Sequence, residues 1–598
     1  LAVLYSDATT ATPSPAVTVN PVGSSGGFAA AFTYDLARSV VTTRQGNPAW
    51  AGQERDGTPP IRANDMFFGA AASDPQPDWI DLDKVAIPQA DEQQRLLARL
   101  AAHVNDGPMP RFWYFPSGHR AVVILTGDQH GCCGSTEARF DNNLAASAPG
   151  CSVDDWECIR SSSYIYVSGG WDDATALSYH QQGFELGVHV NTGCADFTPA
   201  SLDADHATQL AGFAAQFPSL PRQDSERTHC IAWSDWSSQP ETKLAYDIRL
   251  DVNYYYWPPG WIQDRPGMFT GSGMPMRFAQ QDGTMIDVFQ APTQMTDESG
   301  QSYPFTVDTL LDRAIGAEEY YGAFTANIHT DGATESLADA VVASAQARGV
   351  PVVSGRQMLH WLDGRNASTY SSIAWDGSQL TFDLARDAQA RNLEGQLPAA
   401  HDGMALVSLT RDGQPVSYVM DVVKGASVVA FDAESGAYVA TYSADGMAPV
   451  ISNLSVLAHG DGTATVTWDT DEDTDAVVDF GPSPTLLLDQ VSDPTLQTSH
   501  SLLLMGLLPN TTYYYRASSQ DIAMNLTTEP PLAGQPASFA TPLDPALVCA
   551  ADVTMGDFQA GSLGGSLVVS GAGDGGVTLA PPLIEEFDGP ALPAGWSS

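Results

Sequence analysis

The stretch Arg120-Ala-Val-Val-Ile-Leu-Thr-Gly-Asp-Gln-His-Gly131 decides the fold of the first half of the chain. Ala121 to Leu125 is an unbroken apolar run of strand length, the pattern of a parallel strand buried on both faces. It turns abruptly polar at Thr126-Gly-Asp-Gln-His130. Reacting groups collect at the carboxyl ends of strands in parallel α/β folds, so Asp128 and His130 become candidates for metal ligation or acid–base work. Four further segments place polar groups beside short apolar runs: Gln182-Gly-Phe-Glu-Leu-Gly-Val-His-Val-Asn191, Arg227-Thr-His-Cys-Ile-Ala-Trp233, Asp247-Ile-Arg-Leu-Asp-Val-Asn253 and Phe324-Thr-Ala-Asn-Ile-His-Thr-Asp331. Beyond them, Leu337 to Ala347 has helical spacing, Arg348 and Gly349 suit its C-terminus, and a strand at Val350–Val353 and a helix at Arg356–Leu362 follow. Alternating strands and helices from about Pro110 to Gly364 imply a barrel-like or doubly wound α/β domain.

Taken in order, these five segments resemble the polysaccharide deacetylase family, metal-dependent hydrolases of N- or O-acetyl groups on a distorted (β/α) barrel. The family's Thr-Phe-Asp-Asp signature falls on Thr126-Gly-Asp-Gln129. Its Gly-x-Glu-Ile-Gly-x-His signature falls on Gly183-Phe-Glu-Leu-Gly-Val-His189, and its Leu-x-His signature on Asn327-Ile-His329. The resemblance covers roughly 240 residues. It implies Asp128 as catalytic base, His329 as the acid that protonates the leaving group, and His189 as the first metal-binding histidine. Two positions depart from the pattern: Gln129 stands at the metal-binding Asp, and Gly193 at the second metal-binding His. An alternative ligand set, Asp128, His130 and His189, would restore three donors for a divalent metal, zinc above all, with His229 and Asp251 in reserve. A saccharide also needs flat apolar platforms, and Trp233, Trp236, Tyr255 and Trp257 are the candidates; packing of the same rings into the core is the competing reading.

Outward from this region the texture changes on both sides. The first 106 residues read as an α/β fragment, with a strand at Phe28–Tyr34 and a helix at Asp91–His103; the phrases Tyr34-Asp-Leu-Ala-Arg-Ser-Val-Val41 and Thr43-Arg-Gln-Gly-Asn-Pro-Ala-Trp50 resemble the closing part of a glutamine-amidotransferase-like fold. The expected domains are 1–106, the deacetylase-like barrel at 107–366, a β-sandwich at 367–446, a fibronectin type III module at 447–541, and the start of a further β-module at 542–598. Short alternating strands support the sandwich. In the next module Thr463-Ala-Thr-Val-Thr-Trp468 and Leu508-Pro-Asn-Thr-Thr-Tyr513 carry a core Trp and a Tyr after a Leu-Pro turn, which resembles the buried Trp and tyrosine corner of a fibronectin type III sandwich. The fold class is thus multi-domain α/β plus all-β, a deacetylase-like barrel followed by immunoglobulin-like sandwiches. Calcium is a possible occupant of acidic loops such as Asp471-Glu-Asp-Thr-Asp475, against a plain solvated turn.

Composition narrows the function. The 598 residues carry 26 Lys plus Arg against 71 Asp plus Glu, a net charge of −45. Such a surface cannot neutralise phosphates, which excludes nucleic acid and anionic membranes as partners, and no apolar run is long enough to span a bilayer. The chain begins without Met and stops in mid-module, so a longer parent is expected. Cys132, Cys133, Cys151, Cys158, Cys194 and Cys230 crowd into about a hundred residues without zinc-ribbon spacing, which reads as up to three disulfides in an extracellular or cell-surface setting, the pairing left open. Three readings follow. They are a secreted metal-dependent deacetylase of a polysaccharide or cell-wall glycan, an inactive glycan-binding protein on the same fold, and a structural scaffold of the envelope.

Overall fold

The computed structural model describes residues 15–23, 27–70, 78–130, 135–167, 170–331, 336–444 and 446–542, and two short paired strands, Leu567–Val569 and Val577–Leu579. Cys132, Cys133 and Cys549 and most of the 542–598 segment lie outside the described residues. The chain divides into two compact units, one running to Gly446 and one beginning at Met447.

The apolar run at the start of the sequence analysis becomes the strand Ala121–Gln129, buried along its whole length. It is the middle of a parallel sheet in the order Thr293–Thr296, Gly322–Asn327, Ala121–Gln129, Ser162–Ile165, Glu185–Val188, with Val352–Val353 also pairing on the central strand. Its alternate side chains pack into two different clusters, Val122 and Ile124 into one and Ala121, Val123 and Leu125 into the other, so no face reaches water and no polar alternation survives in this run. A second sheet holds Ser225–Glu226, Leu250–Asp251 and Met285–Gln290 in parallel, with Met276–Ala279 antiparallel at its edge.

The two sheets join at two seams. At one, Gln223 Oε1 accepts from Val188 N at 2.7 Å, and Glu185 Oε1 accepts from Ser225 N at 3.0 Å. At the other, Thr293 N donates to Tyr254 O at 2.7 Å and Tyr256 N to Thr293 O at 3.1 Å. Residues from both sheets (Ile124, Tyr164, Leu250, Phe289 and Ala323) share one apolar cluster. The helices behave as their sequences ask. Ser336–Ala347 ends shortly before Gly349 at φ +63°, and Gly355–Ala367 is capped by Ser354, whose side chain accepts from Gln357 N.

The expected boundaries at 106 and 366 do not separate packed bodies. Ala63, Met66, Phe67 and Phe68 lie in one cluster with Trp233, Tyr254, Tyr256 and Phe278, so the N-terminal segment is part of the core that follows it. The strand expected at Phe28–Tyr34 is Gly27–Phe32, largely exposed and, among the described residues, paired only with Val17–Val22. After residue 367, Gln379–Ala385, Gly436–Ala444 and Met404–Arg411 form one antiparallel sheet, and Tyr418–Val423, Ala426–Asp432 and Glu394–Pro398 another. The second sheet takes Arg111–Phe112 as an edge strand, and Phe382, Leu406, Phe431 and Tyr442 share a cluster with Ile124 and Trp361.

The second unit is all-β, built on Ile451–Ala458, Ala464–Gly481, Asp489–Leu504 and Thr512–Gln520. Trp468 is buried and donates its Nε1–H to Ser519 Oγ at 2.9 Å. Tyr513 Oη accepts from Leu508 N at 3.0 Å, the bond that defines a tyrosine corner. The run Asp471–Asp475 is not an acidic loop. It lies inside the long strand Ala464–Gly481, Asp471 and Asp475 accept from Val450 N and Gln520 N, and no cluster of potential metal ligands among the described residues draws on it. Calcium binding there is therefore corrected. Among the described residues, no helix is long and apolar enough to cross a membrane.

Candidate functional site

Parallel strands deliver their carboxyl ends to one side, and the chain places a polar group at nearly every one. Asp128 and Gln129 close the central strand, and His130 follows. His189 comes directly after Glu185–Val188, and Arg227 and His229 follow Ser225–Glu226. Asp297 follows Thr293–Thr296, and His329 follows Gly322–Asn327. Segments up to two hundred residues apart thereby meet around a cavity of 380 Å³ lined by Asp128, His130, Arg227, His229, Tyr255, Trp257, Glu298 and His329, with Arg62 from the N-terminal segment.

Four imidazoles converge. The ring of His130 lies 5.2 Å from that of His189, 4.7 Å from His229 and 5.1 Å from His329, centre to centre. One nitrogen from each of His130, His189 and His229 lies within 4.8 Å of the others, and the same holds for ligand atoms of Asp128, His130 and His329. The tautomers are set from behind. His189 Nδ1 donates to Arg227 O at 2.8 Å, leaving Nε2 as a lone pair 3.3 Å from His229 Nδ1. Asp331 holds His130 twice, accepting from its backbone N at 2.7 Å and from Nδ1 at 2.6 Å. Acceptors placed this way orient an imidazole for metal binding at the other nitrogen.

Electrostatics divide the four rings into two kinds. Burial, with the charges of His229 and Arg227 nearby, takes His189 down to about 4 despite the pull of Asp128. Burial and the cationic forms of His130 and His329 take His229 to about 4 as well. Both rings are neutral at pH 7, the form that donates a lone pair. His329 goes the other way: burial opposes its charge, but Asp297, 3.0 Å from Nδ1, together with Asp128 and Glu298, raises it to about 9. It holds a proton at neutral pH. Asp128 is buried, yet Arg227, His189 and His329 and the amide of Asn327 keep its carboxyl well below the usual carboxylate range. Arg227 Nε donates to Asp128 Oδ2 at 2.8 Å.

The sequence-derived candidates divide accordingly. Asp128, His130, His189 and His329 come together. Asp128 stands 3.7 Å from His189 Nε2 with its two oxygens accepting from Arg227 and Asn327, and the reserve residue His229 brings a third imidazole to His130 and His189. Asp251 is corrected to a structural role: it is fully buried against Lys243 and Asn253, away from the cavity. Trp233 and Trp236 are corrected to core. Trp233 is 1 % exposed against Tyr254 and Phe278, and Trp236 is 6 % exposed with its indole N–H on Ala279 O. Tyr255 is also buried, under the Arg227 guanidinium at 4.6 Å and bonded to Glu298, but one edge lines the cavity. Trp257 alone of the four keeps a half-buried ring on the cavity wall, with Arg62 over it at 5.0 Å.

Arg227, Asp297, Asp331 and Asn327 were not singled out from sequence. Asp331 ends a quoted segment and Arg227 begins one, so adjacency to a histidine was the available signal. Among the described residues two disulfides are closed, Cys151–Cys158 and Cys194–Cys230. The second ties the loop after His189 to the residue after His229.

No protein-family model matches the chain, and no curated protein matches it. Among solved structures it is similar to the FN1–FN3 domains of chicken CNTN1, at 14% identity over 29% of this chain with a TM-score of 0.15, and the chain spans 66% of that protein's length. It is also similar to a cytokine receptor complex, at 16% identity over 26% of this chain and 93% of that one, with a TM-score of 0.12.

Proposed function

We propose that the protein is a secreted, metal-dependent hydrolase that removes acetyl groups from a carbohydrate, on a polysaccharide-deacetylase-like barrel followed by a fibronectin type III sandwich. The observation that carries this reading is the meeting of His130, His189 and His229 beside the Asp128–Arg227 and His329–Asp297 pairs. The three rings suit a zinc ion: His189 and His229 are neutral, His189 and His130 are fixed through Nδ1, and imidazole is a preferred zinc donor. They replace the set that Gln129 and Gly193 break. When bound, zinc supplies a Lewis acid and a water of lowered pKa.

The chain's own residues do the rest. Asp128 stays ionised because Arg227 and Asn327 hold both oxygens, so it presents fixed negative charge toward an incoming water. His329 keeps its proton at Nε2 while Nδ1–H is held by Asp297, and it delivers that proton to the departing amine or alkoxide. Trp257 offers the half-buried ring on which a sugar face can stack. Two disulfides agree with an oxidising, extracellular setting. Gln129 favours the second reading, a glycan-binding protein without catalysis.

One experiment separates the two. Metal content of the purified full chain is measured by elemental analysis, alongside acetate release from acetylated oligosaccharides. About one zinc per chain, lost in His229→Ala and in His189→Ala, with His329→Gln keeping the zinc but losing acetate release, supports hydrolysis. A chain that takes up no zinc on reconstitution overturns it.

A further inference from the structure

We propose that a second cavity, lined by none of the residues of the imidazole cluster, binds an alkyl carboxylate. The cavity measures 610 Å³, within the range of small-molecule sites. The helix Leu36–Gln45 supplies one wall through Leu36, Val40 and Val41, and Met274, Met276 and Leu362 supply the other. Thioether side chains adapt to hydrocarbon of varied shape. At the rim Leu97 and Met285 are 47% and 58% exposed, so apolar surface continues outward to the mouth.

Arg44 also lines this cavity, and it is 3% exposed. Its Nε has no hydrogen-bond partner among the described residues, and Nη2 reaches only Met274 O, at 3.5 Å. No carboxylate forms an ion pair with it among the described residues. The closest acid in electrostatic terms, Asp91, lines the cavity too, but both its oxygens are engaged: Oδ1 accepts from Ser272 Oγ at 2.6 Å and Oδ2 from Gly273 N at 2.9 Å. The other arginines on the wall are occupied, Arg95 by Glu92, Arg277 by Asp287 and Arg365 by the carbonyl of Trp113. A buried guanidinium with an unpaired Nε–H and one long bond to a carbonyl is costly, and here it stands in a chain with 71 acids and 26 cations. Its planar fork matches a carboxylate. An apolar tail along the methionines with one carboxylate on Arg44 satisfies both halves of the cavity. This site is independent of the hydrolase reading.

The test uses the full chain, freed of bound lipid, titrated calorimetrically with decanoate, decan-1-ol and decyl phosphate. Decanoate is expected to bind one per chain, with decan-1-ol roughly tenfold weaker or more, the difference a charge-assisted bond makes. Arg44→Gln should weaken decanoate by the same factor and leave decan-1-ol unchanged. Ala37→Trp, an exposed position at the mouth, should block both ligands. Circular dichroism checks the fold of each variant. If Arg44→Gln does not fold, the alcohol comparison and Ala37→Trp decide. Absence of decanoate binding, equal binding of acid and alcohol, or decanoate binding untouched by Ala37→Trp overturns the proposal; decyl phosphate binding tighter than decanoate overturns the carboxylate assignment.

Discussion

Lys243 gives the sharpest test of how the site is supported. Its side chain is fully buried between Glu226, 2.5 Å from Nζ, and Asp251, both themselves fully buried. Glu226 immediately precedes Arg227, and its carboxylate also accepts from Thr228 Oγ1 at 3.0 Å. The triad therefore fixes the segment that carries Arg227 and His229. Replacing Lys243 with Met keeps the apolar stem and removes the charge, leaving two fully buried carboxylates without their cation. Breaking a buried pair in this way costs about 3–5 kcal/mol. The measurement is urea denaturation of the full chain followed by near-ultraviolet circular dichroism, with Lys243→Met expected to lower the stability of the first unit by that amount. A triple variant, Lys243→Met with Glu226→Gln and Asp251→Asn, should recover most of the loss, because neutral groups no longer need the cation. Zinc retention should fall in the single variant and return in the triple. A loss below about 1 kcal/mol in the single variant, or a triple variant as unstable as the single, would refute the reasoning that the triad is held by charge.

Other outcomes follow from the same geometry. His189 and His229, both lowered to about 4, bind protons more readily unfolded than folded, so their contribution is complete above pH ~6.5 and lost as pH falls toward 4; metal-free protein should show this as an acid-side drop in denaturation midpoint, absent in His189→Gln/His229→Gln. His329 is raised to about 9, so its contribution is complete below pH ~6.5 and lost as pH rises through 9; acetate release should fall along the same basic limb, and Asp297→Asn should move that limb to lower pH. Reducing Cys194–Cys230, which closes a loop of 36 residues, should cost about 4 kcal/mol on a chain-entropy account and lower zinc retention, read by denaturation and elemental analysis of Cys194→Ser/Cys230→Ser. Tyr513→Phe removes the corner bond to Leu508 N and should destabilise the second unit by about 1 kcal/mol, seen as a shift of its melting transition alone.

What could be read from sequence was what neighbours in the chain decide. Ala121–Leu125 is apolar at every position because both of its faces are buried, and Trp468 and Tyr513 announce themselves through local turn chemistry. What could not be read depends on remote partners. Trp233 and Trp236 looked like platforms because nothing near them in the chain shows that Phe67, Phe68 and Phe278 lie against the same core. The boundary at 366 dissolves for a similar reason: a two-residue strand, Arg111–Phe112, pairs with Glu394–Pro398 and ties the sandwich to the chain before the central strand. The imidazole cluster is the most instructive case. Judged by spacing, Gly193 leaves His189 without the partner a helix-turn interval would give it. Judged by topology, each parallel strand brings its carboxyl end to the same side, so a donor lost at one end is replaceable from any other. His130 and His229 occupy two such ends, and the Cys194–Cys230 bridge joins the loop that holds Gly193 to the residue beside His229. Spacing rules therefore undercount the imidazoles that a parallel sheet brings together, and the useful sequence signal is a histidine within three residues of any strand's carboxyl end, whatever lies between.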